Sequence, residues 1–185
     1  MYNPYSVGNK VYLRAPTLED VEGKWHEWFS DEETTRWLAD RYLPNTIESQ
    51  NDFFKSINNS SSRLVLSVVD IKSDKHVGVC NLSFINWKNR YCDIAVVIGD
   101  KEYHKNGFVG LEVHKLLLDV AFKRLNLLNV KTSCVSGQEA SDFILKRLGF
   151  QVVGKFRKIA WVDNDYQDVI IMQLSREDWF KRANK

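Results

Sequence analysis

AVVIGDKEYHKNGFVGLEVHKLLLDVAFKRL, which runs from Ala95 to Leu125, is the stretch that decides the fold. Its first residues are apolar and typical of a buried strand that ends at Ile98. A polar loop with Gly107 and Gly110 follows, and a period near 3.6 then predicts a helix from about Gly110 to Leu125. Unpaired N–H groups at a helix N-terminus attract phosphate, and glycines let that backbone approach it closely. The loop therefore predicts either a phosphate cradle or an ordinary glycine turn.

The elements on either side predict a mixed α/β sheet. Three β-rich runs precede the stretch without intervening helices, which is typical of an antiparallel meander and not of a doubly wound fold. These runs are RLVLSVVD, KHVGVCNLSFI and RYCDIAVVIG. A strand and aromatic-rich helices come before them; a strand, a helix, a hairpin and a short helix follow the stretch. The sequence thus predicts a central sheet of about seven strands flanked by helices, in one domain over residues 8–182.

The composition excludes several classes of protein. Apolar residues make up 44% of the 185 residues, as in ordinary globular proteins, and a net charge of +2 does not favour nucleic acid or a membrane surface as the main partner. No run is long and apolar enough for a transmembrane helix, and the first residues, MYNPYSVGNK, lack the features of a signal peptide. The three cysteines lie in apolar strand-like runs without the spacing of metal ligands, which predicts core thiols and no metal site. A cytoplasmic location is the default expectation.

Three segments resemble the GNAT family of acetyl-CoA-dependent N-acetyltransferases. They are NLSFINWKNRYCDIAVVIGDKEY, HKNGFVGLEVHKLLLDVAFKRLNLLNV and SGQEASDFILKRLGFQVVGKFRK. Within the family, the chain looks like the branch of ribosomal-protein, spermidine and amino-sugar-nucleotide acetyltransferases. The resemblance implies a GNAT fold in which the strand ending at Ile98 splays from the next strand, VKTSCV. The splayed pair would form the cleft for acetyl-CoA, which is the expected cosubstrate.

The loop departs from the family pattern Q/R-x-x-G-x-G/A. Aligning on the helix puts Lys105 at the Q/R position, Phe108 at the first glycine and Gly110 at the last. Aligning on Gly107 instead puts His104 at the Q/R position and needs an extra residue before the helix, so we prefer the first register. A phenylalanine where the backbone approaches a phosphate would weaken the cradle.

The resemblance implies two groups of cofactor-binding residues. The backbone of Val96, Val97 and Ile98 would bond the pantetheine, and the amides of the loop would bind the pyrophosphate. The loop residues are Lys105, Asn106, Gly107, Phe108, Val109 and Gly110. Gln138 and Ser141 would also contact the cofactor, with Gln138 in place of the family's usual asparagine.

Two residues are candidates for catalysis. N-acetylation needs a neutral amine, so a base must remove the ammonium proton directly or through water. Asp93 lies on the strand face shared with Ala95 and Val97, where relatives often carry an acid; a solvated acid near a strand end is the competing interpretation. Ser141 is either a helix cap or a contact to the cofactor and its sulfur. The tyrosine that many relatives use as general acid is replaced by Leu145.

Aromatic side chains are candidates for the acceptor site. The N-terminal helices form the acceptor side in the family, and Trp28 and Trp37 lie in them, although core packing is the usual role of aromatic residues at helical spacing. Trp87 and Arg90 belong to a turn that borders the same side. An exposed ring at these positions would stack on a sugar, a base or a cationic amine.

These features predict an N-acetyltransferase that acts by direct attack of a primary amine on bound acetyl-CoA. The acceptor is expected to be a small molecule such as an amino-sugar nucleotide or a polyamine, and a homodimer is left open. One alternative is a protein N-terminal acetyltransferase of the ribosomal-protein type. Another is a degenerate domain that binds coenzyme A or a partner without catalysis, which Phe108 and the missing tyrosine favour. An aminoglycoside acceptor would call for an acidic cleft, but the acidic run from Asp31 to Glu33 is more typical of a solvated helix start.

Overall fold

The computed structural model describes residues 1–39, 41–104 and 107–183, which form an eight-stranded sheet with helices on both faces. The strands are β1 Ser6–Val7, β2 Val11–Arg14, β3 Leu64–Asp70, β4 His76–Asn86, β5 Tyr91–Ile98, β6 Asn129–Val135, β7 Gln151–Val162 and β8 Asp165–Ser175. The helices are α1 Leu18–Asp20, α2 His26–Trp28, α3 Glu32–Thr35, α4 Ile47–Asn58, α5 Phe108–Asp119, α6 Glu139–Leu148 and α7 Arg176–Ala183. Wider π-type turns over Val21–Trp25 and Val120–Arg124 join α1 to α2 and extend α5. Within these described ranges, no helix combines the length and the apolar character needed to cross a bilayer.

The sheet is mostly antiparallel and has the order β1-β2-β3-β4-β5-β6-β8-β7. Strands β1 to β5 form an antiparallel series, and β6, β8 and β7 form another. The two series meet at β5 and β6, which run parallel and are connected through α5. The predicted mixed sheet with flanking helices is confirmed.

One more strand is present than the sequence predicts. Strand β1 consists of two residues, with Ser6 opposite Leu13 and Val7 opposite Tyr12 on β2. A strand this short has no alternating pattern that could signal it, because alternation needs at least four residues to be recognised. The sequence therefore predicts about seven strands where the structure has eight.

Local capping signals fix several helix ends. The Thr46 hydroxyl accepts a hydrogen bond from the Ser49 N–H (3.2 Å) at the start of α4. The Ser175 hydroxyl accepts one from the Asp178 N–H (3.1 Å) at the start of α7. Gly149 ends α6 in a left-handed conformation with φ 97°, which glycine adopts without steric cost. Threonine, serine and glycine are residue types that such caps favour, and capping depends on residues close together in the chain.

Strands β5 and β6 separate after three residue pairs. The pairs are Tyr91–Asn129, Cys92–Val130 and Asp93–Lys131. Beyond them, β5 remains paired with β4 as far as Ile98, and β6 remains paired with β8 as far as Val135. Each strand consequently presents one edge to a gap between them. The predicted splayed pair is confirmed.

Two apolar cores flank the sheet. On one face, α5 and its π-type extension bury Val113, Leu117 and Phe122 completely. On the other face, Trp25 and Trp28 pack against the sheet from the N-terminal helices. Burial of an apolar side chain of this size contributes roughly 1.5–3 kcal/mol, so both layers of helices are held by the same effect.

The three cysteines, Cys80, Cys92 and Cys134, are free and buried in strands. Burial raises the pKa of the Cys92 thiol to about 12, and it also raises the pKa of the other two thiols. The thiols therefore stay protonated at neutral pH and behave as small apolar groups. This agrees with the core thiols that the sequence predicts.

A buried ion pair attaches the first helix to the sheet. The Asp20 carboxylate, in a side chain only 4% exposed, accepts hydrogen bonds from both terminal nitrogens of Arg14 at 2.6 and 2.7 Å. The Ser67 hydroxyl (2.7 Å) and the Thr17 N–H (2.9 Å) donate to the same carboxylate, and His76 Nδ1 lies 3.4 Å from it. A buried carboxylate is tolerated when it is paired and hydrogen-bonded. The cluster thus joins α1 to strands β2, β3 and β4.

Candidate active site

Strand β5 separates two regions that meet along its length. Ile94 and Val96 point into the main core beneath α5. Ala95 and Val97 point to the opposite face, where they line a cavity under the N-terminal helices. The edge of β5 beyond Asp93 faces the gap to β6. A molecule in the gap and a molecule in the cavity would therefore contact the same strand.

Two side chains show which backbone groups of β5 point into the gap. Thr132 Oγ1 on β6 donates a hydrogen bond to the Ile94 carbonyl (3.1 Å). His104 Nε2, from the loop after β5, donates to the Ile98 carbonyl (2.6 Å). Because the direction of backbone groups alternates along a strand, the amide and carbonyl of Val96 also point into the gap.

The three residues predicted to bond a pantetheine consequently offer different groups. Val96 presents both an amide and a carbonyl to the gap. Val97 is turned the other way, toward β4, where its partner is Val79. The Ile98 carbonyl already accepts the bond from His104. Val96 is therefore the best placed of the three for backbone hydrogen bonds to an extended ligand.

The loop after β5 leads to the N-terminus of α5, which lies at the open end of the gap. Lys105 and Asn106, both predicted cofactor contacts, lie outside the described residues. The first hydrogen bond of the helix runs from the Leu111 N–H to the Gly107 carbonyl (3.1 Å). The N–H groups between these two residues have no helical partner. They belong to the predicted contacts Phe108, Val109 and Gly110, and they form the positive end of a 12-residue helix that can bind phosphate.

The two glycines of the loop have different structural roles. Gly107 precedes the helix at φ 61°, a left-handed conformation, and a Cβ atom there would meet open space. Gly110 lies within the first turn of α5, and a Cβ atom there would be 3.4 Å from Ile144 Cδ1 on α6. The preferred sequence register expects Gly110 at the closest approach to a phosphate. In the structure its bare Cα faces the neighbouring helix.

We expect alanine at these two glycines to change stability in opposite directions. Gly107→Ala should lower the free energy of unfolding by about 1–2 kcal/mol, the cost of a left-handed conformation for a residue with a Cβ atom. Gly110→Ala should raise it by roughly 0.5–1 kcal/mol, because alanine favours a helix and its methyl group makes an ordinary contact with Ile144. Urea unfolding of both variants measures this difference. Equal stabilities would contradict the left-handed assignment of Gly107.

The Phe108 ring is exposed and does not fill the space beneath the helix. Its side chain is 58% exposed, and Lys10 Nζ lies 5.2 Å from the ring centroid. The Lys10 N–H also donates to the Glu112 carboxylate (3.1 Å), which ties the turn between β1 and β2 to α5. A lysine is thus held close to the start of α5, where its charge favours an anionic ligand.

Ser141 does not cap α6. Gln138 occupies the capping position, and Ser141 is the third residue of the helix, half-buried, with no hydrogen bond to its hydroxyl within the described part of the chain. The hydroxyl is therefore free to contact a ligand, which leaves the cofactor interpretation of this residue as a prediction. Leu145, where relatives carry a tyrosine, is 3% exposed and packs in the main core.

Asp93 lies at the point where β5 and β6 separate. Its carboxylate is 30% exposed and pairs with Lys131 on β6, with Nζ 2.9 Å from Oδ1 and 3.3 Å from Oδ2. Lys131 Nζ donates a hydrogen bond to Oδ2. Its contact with Oδ1 is shorter, but the angle there does not suit a hydrogen bond, so this contact is an ion pair only. Ser83 on β4 is its cross-strand partner and lines the cavity, whereas Asp93 does not. A proton could pass from the cavity to Asp93 through a water molecule.

The cavity has a volume of about 590 Å³ and lies between the N-terminal helices and the sheet. Its lining is largely apolar and aromatic, with a few polar groups at defined places. The residues that matter most for its chemistry are Trp25, Phe29, Phe53, Gln50, Asn81 and Arg63. Within the described ranges, no three His, Cys, Asp or Glu side chains come together in a way that could hold a metal ion.

Of the four predicted acceptor contacts, the two tryptophans of the N-terminal helices are placed differently. Trp28 is 6% exposed, and its ring packs against His76 with 4.9 Å between ring centroids. The side chain therefore belongs to the smaller core and does not line the cavity. Trp37 is half-buried, and its ring lies 3.6 Å from the position that a Cβ atom of Gly137 would take. Trp37 thus connects the N-terminal helices to the loop before α6.

The other two predicted contacts make structural hydrogen bonds in the turn between β4 and β5. Trp87 Nε1 donates to the Ser61 carbonyl (2.7 Å). Arg90 donates twice to the Asn126 carbonyl, at 2.8 and 2.6 Å. Neither side chain lines the cavity. These bonds hold loops together. The Trp87 ring is nevertheless 53% exposed, so its stacking role stays a prediction.

Sequence reasoning misses three polar residues of the cavity. Asn81 lies in the middle of the apolar run VGVCNLSFI, and a polar residue at such a position is a usable signal, because buried strands are normally apolar throughout. Gln50 is one of several polar residues on α4 and has no distinguishing pattern. Arg63 ends a polar loop just before β3 and resembles any solvated arginine. Their convergence depends on tertiary packing and not on spacing.

The chain is similar to known acetyltransferases over most of its length. Residues 10–151 match the family described as Acetyltransferase (GNAT) domain. The spermidine N(1)-acetyltransferase of Escherichia coli K12 is 24% identical over 171 residues, which cover 92% of this chain and 89% of that protein. YdaF of Bacillus subtilis strain 168, described as a ribosomal N-acetyltransferase, is 28% identical over 102 residues, about half of either chain (55%). A crystal structure of Vibrio cholerae spermidine N-acetyltransferase in complex with CoA and spermine has a TM-score of 0.84 at 18% identity, covering 94% of this chain and 99% of that chain.

Proposed function

Because this chain belongs to the GNAT acetyltransferase family, we propose that it transfers the acetyl group of acetyl-CoA to a primary amine of a small molecule. The arrangement around β5 carries the proposal. The free edge of the strand faces the gap that opens toward α5, and one of its faces lines a cavity of about 590 Å³. That volume is in the range of small-molecule sites. An acetyl donor in the gap and an amine in the cavity would meet at β5.

The residues around the gap fit acetyl-CoA. The free N–H groups at the start of α5 would hold the diphosphate, with the charge of Lys10 nearby. The Val96 backbone would bond the pantetheine in the manner of an added strand. The Ser141 hydroxyl would lie on the opposite side of the gap, at the start of α6. Bound there, acetyl-CoA supplies an acetyl thioester for transfer.

In the proposed reaction the protein orients an amine, removes a proton and stabilises a leaving sulfur. The ammonium form of the acceptor first loses one proton, which we assign to Asp93 acting through water, because Asp93 lies beside the cavity and not in its lining. The neutral nitrogen then forms a bond to the acetyl carbonyl carbon, and the carbon–sulfur bond breaks. The second amine proton ends on the thiol. Ser141 would donate a hydrogen bond to the sulfur as its negative charge develops.

We propose that the domain covers residues 8–182. The family match ends at residue 151, which is the first residue of β7. Strand β8 nevertheless pairs with β6 from Asn129–Ser175 to Val135–Val169, so the C-terminal hairpin completes the same sheet. Removing it would expose the edge of β6.

A second candidate function is binding of coenzyme A without turnover. Leu145 favours it, because this position carries a buried apolar side chain where relatives have a proton donor. A protein N-terminus remains the alternative acceptor for an active enzyme. The measurements below separate binding from catalysis.

We expect acetyl-CoA to stabilise the folded protein and to be consumed when an amine is present. A ligand that binds only the folded state at about 100 times its Kd adds roughly 2.7 kcal/mol to the free energy of unfolding. Thermal melts with millimolar acetyl-CoA measure this gain, and release of free thiol across a panel of amines measures turnover. Desulfo-coenzyme A is the control, since it should stabilise the fold without releasing a thiol. Stabilisation without thiol release for any amine or peptide would favour the binding-only candidate, and no stabilisation would contradict the proposal.

A further inference from the structure

We propose that the acceptor is an amine that also carries an anionic group, a carboxylate or a phosphate, and not a polyamine. This inference rests on the proposed function and concerns the cavity beneath the N-terminal helices. The cavity wall offers hydrogen-bond donors and positive charge on one side and an unsatisfied acceptor beside β5.

Two arginines line the cavity, and no carboxylate among the described residues pairs with either of them. Arg63 lies over the Phe53 ring, 5.6 Å from Cζ to the ring centroid, and Arg41 donates to the Leu38 carbonyl (2.9 Å). Neither guanidinium has a carboxylate within 4.0 Å in the described part of the chain. Among the described lining residues, none is an aspartate or a glutamate. The fixed charge of the described part of the wall is therefore positive.

Gln50 adds a buried donor without a partner. Its side chain is 3% exposed and lines the cavity. Its Oε1 accepts a hydrogen bond from Asn45 Nδ2 (3.0 Å), and its Nε2 has no partner within the described residues. A buried N–H without an acceptor destabilises the site, so a ligand that brings an acceptor oxygen removes that penalty. Carboxylate and phosphate oxygens serve both Gln50 and the arginines.

Asn81 provides the complementary group next to the proposed reaction centre. Its Oδ1 is buried without a hydrogen-bond partner in the described chain, and its cross-strand partner on β5 is Ala95. An amine N–H donated to Oδ1 would place the acceptor nitrogen beside β5, where the gap begins. The sheet pairing also places Arg63 near Asn81. The next residue after Arg63, Leu64, lies opposite Leu82, which directly follows Asn81 on β4. One small molecule could therefore reach both Asn81 and Arg63.

The same groups disfavour a polyamine. A polyamine presents several ammonium charges, and like charges a few ångströms apart in a half-buried site repel each other more strongly than in water. Its N–H groups cannot satisfy Gln50 Nε2, which is itself a donor. The aromatic and apolar lining instead suits an organic body, either an amino-acid side chain or a sugar ring, between the amine and the anion.

Matched amine pairs test the proposal. The carboxylate arm compares L-phenylalanine with 2-phenylethylamine, and the phosphate arm compares glucosamine 6-phosphate with glucosamine; spermidine is the polycation. In at least one arm we expect the member that carries the carboxylate or phosphate to have a kcat/KM about tenfold or more above its partner without that group and above spermidine. The arm that responds identifies the anionic group. Calorimetric binding of the same compounds decides the question independently of turnover. The proposal would be overturned if the members without an anionic group, or spermidine, bound as strongly or more strongly. Absence of binding in both arms would also overturn it.

Variants of the cavity give the second test. Arg63→Met should reduce the preference for the anionic member by about 10- to 100-fold, the range for loss of a charge-assisted hydrogen bond, and Gln50→Met should act in the same direction. Arg147→Met is the matched control, because Arg147 is an exposed arginine that also lies over an aromatic ring, Phe143. An anion preference that survives Arg63→Met and Gln50→Met in folded protein would refute the assignment.

Two further measurements distinguish this inference from its premise. Asp40 lies outside the described residues, but its neighbours in the sequence line the cavity, so the variant Asp40→Asn is included. If the wild-type protein prefers spermidine and Asp40→Asn loses spermidine turnover, the cavity binds polycations and the proposal is wrong. Acetyl-CoA stabilisation should be unchanged in every cavity variant. If acetyl-CoA fails to stabilise the wild-type protein, the proposed function fails. If it stabilises the protein and the anion preference is missing, only the acceptor assignment fails.

Discussion

Asp93→Asn is expected to lower kcat by about 10²–10⁴-fold, the usual contribution of a general base. The amide occupies the same space at the junction of β5 and β6, but it cannot accept a proton from the acceptor amine. Because Asp93 lies outside the cavity lining and away from the loop before α5, the affinity for acetyl-CoA should not change. Steady-state kinetics at neutral pH measure the first effect, and acetyl-CoA titration by calorimetry measures the second.

Lys131→Gln is the matched control for this variant. It breaks the same ion pair, whose nitrogen–oxygen distance is 2.9 Å, but it leaves the carboxylate in place. If Asp93 is the base, Lys131→Gln should retain most of the activity that Asp93→Asn loses. Equal losses in the two variants would mean that the ion pair positions the strands and that water takes the proton. A near-normal kcat for Asp93→Asn would remove the residue from the mechanism.

Asp20→Asn should lower the free energy of unfolding by about 3–5 kcal/mol, the range for removing one partner of a buried ion pair. The Arg14 guanidinium would then stay buried, with an amide in place of the carboxylate that now accepts its two hydrogen bonds. Urea unfolding monitored by tryptophan fluorescence measures the loss. Asp52→Asn is the control, because Asp52 forms an exposed pair with Lys55 on α4 and its removal should leave stability unchanged. A small effect of Asp20→Asn would show that the cluster relaxes around the uncharged amide.

The same cluster gives the wild-type protein a defined response to acid. Burial lowers the pKa of His76, so the unfolded chain binds a proton below about pH 6.5 that the folded protein does not. Burial alone would raise the pKa of Asp20, but the hydrogen bonds from Arg14, Thr17 and Ser67 and the charge of His76 together outweigh burial, and the pKa lies below its ordinary value. Both groups make the unfolded state bind more protons, so stability should fall as pH decreases, first through His76 and then, below about pH 4, through Asp20. In Asp20→Asn the second decline should be weaker.

The order of the elements is predicted well because the signals are local. Caps such as Thr46 and Gly149 and the β-rich composition of three successive runs depend on neighbouring residues, and the structure places the elements where these signals indicate. The gap between β5 and β6 was expected from family resemblance and not from any residue pattern. Strand β1 was missed because two residues cannot show a period, and it exists only through its pairing with β2.

The site is predicted less completely because it is assembled from distant segments. The glycine-bearing loop and Asp93 are visible in the sequence, since the loop directly follows β5 and Asp93 lies within it. Trp28 resembles an acceptor contact in the sequence, but Gly99 leaves room for its ring to pack flat against the sheet, where a Cβ atom would lie 2.0 Å from the ring. Gln50 and Arg63 become neighbours of Asn81 only when α4 folds across the sheet. The composition and the spacing of residues in the sequence do not indicate that these three side chains line one cavity.

The three-pair junction of β5 and β6 also has a mechanical meaning. Within each half of the sheet the strands are paired along most of their lengths. The two halves share only the three residue pairs between β5 and β6, and the helices α5 and α6 contact each other near Gly110. A ligand lying along the β5 edge would supply hydrogen bonds that β6 does not make there, and it would thereby restrict movement between the two halves. Slow hydrogen exchange at the Val96 amide, gained when a ligand fills the gap, would be the signature of a sheet whose hydrogen bonding is completed by that ligand.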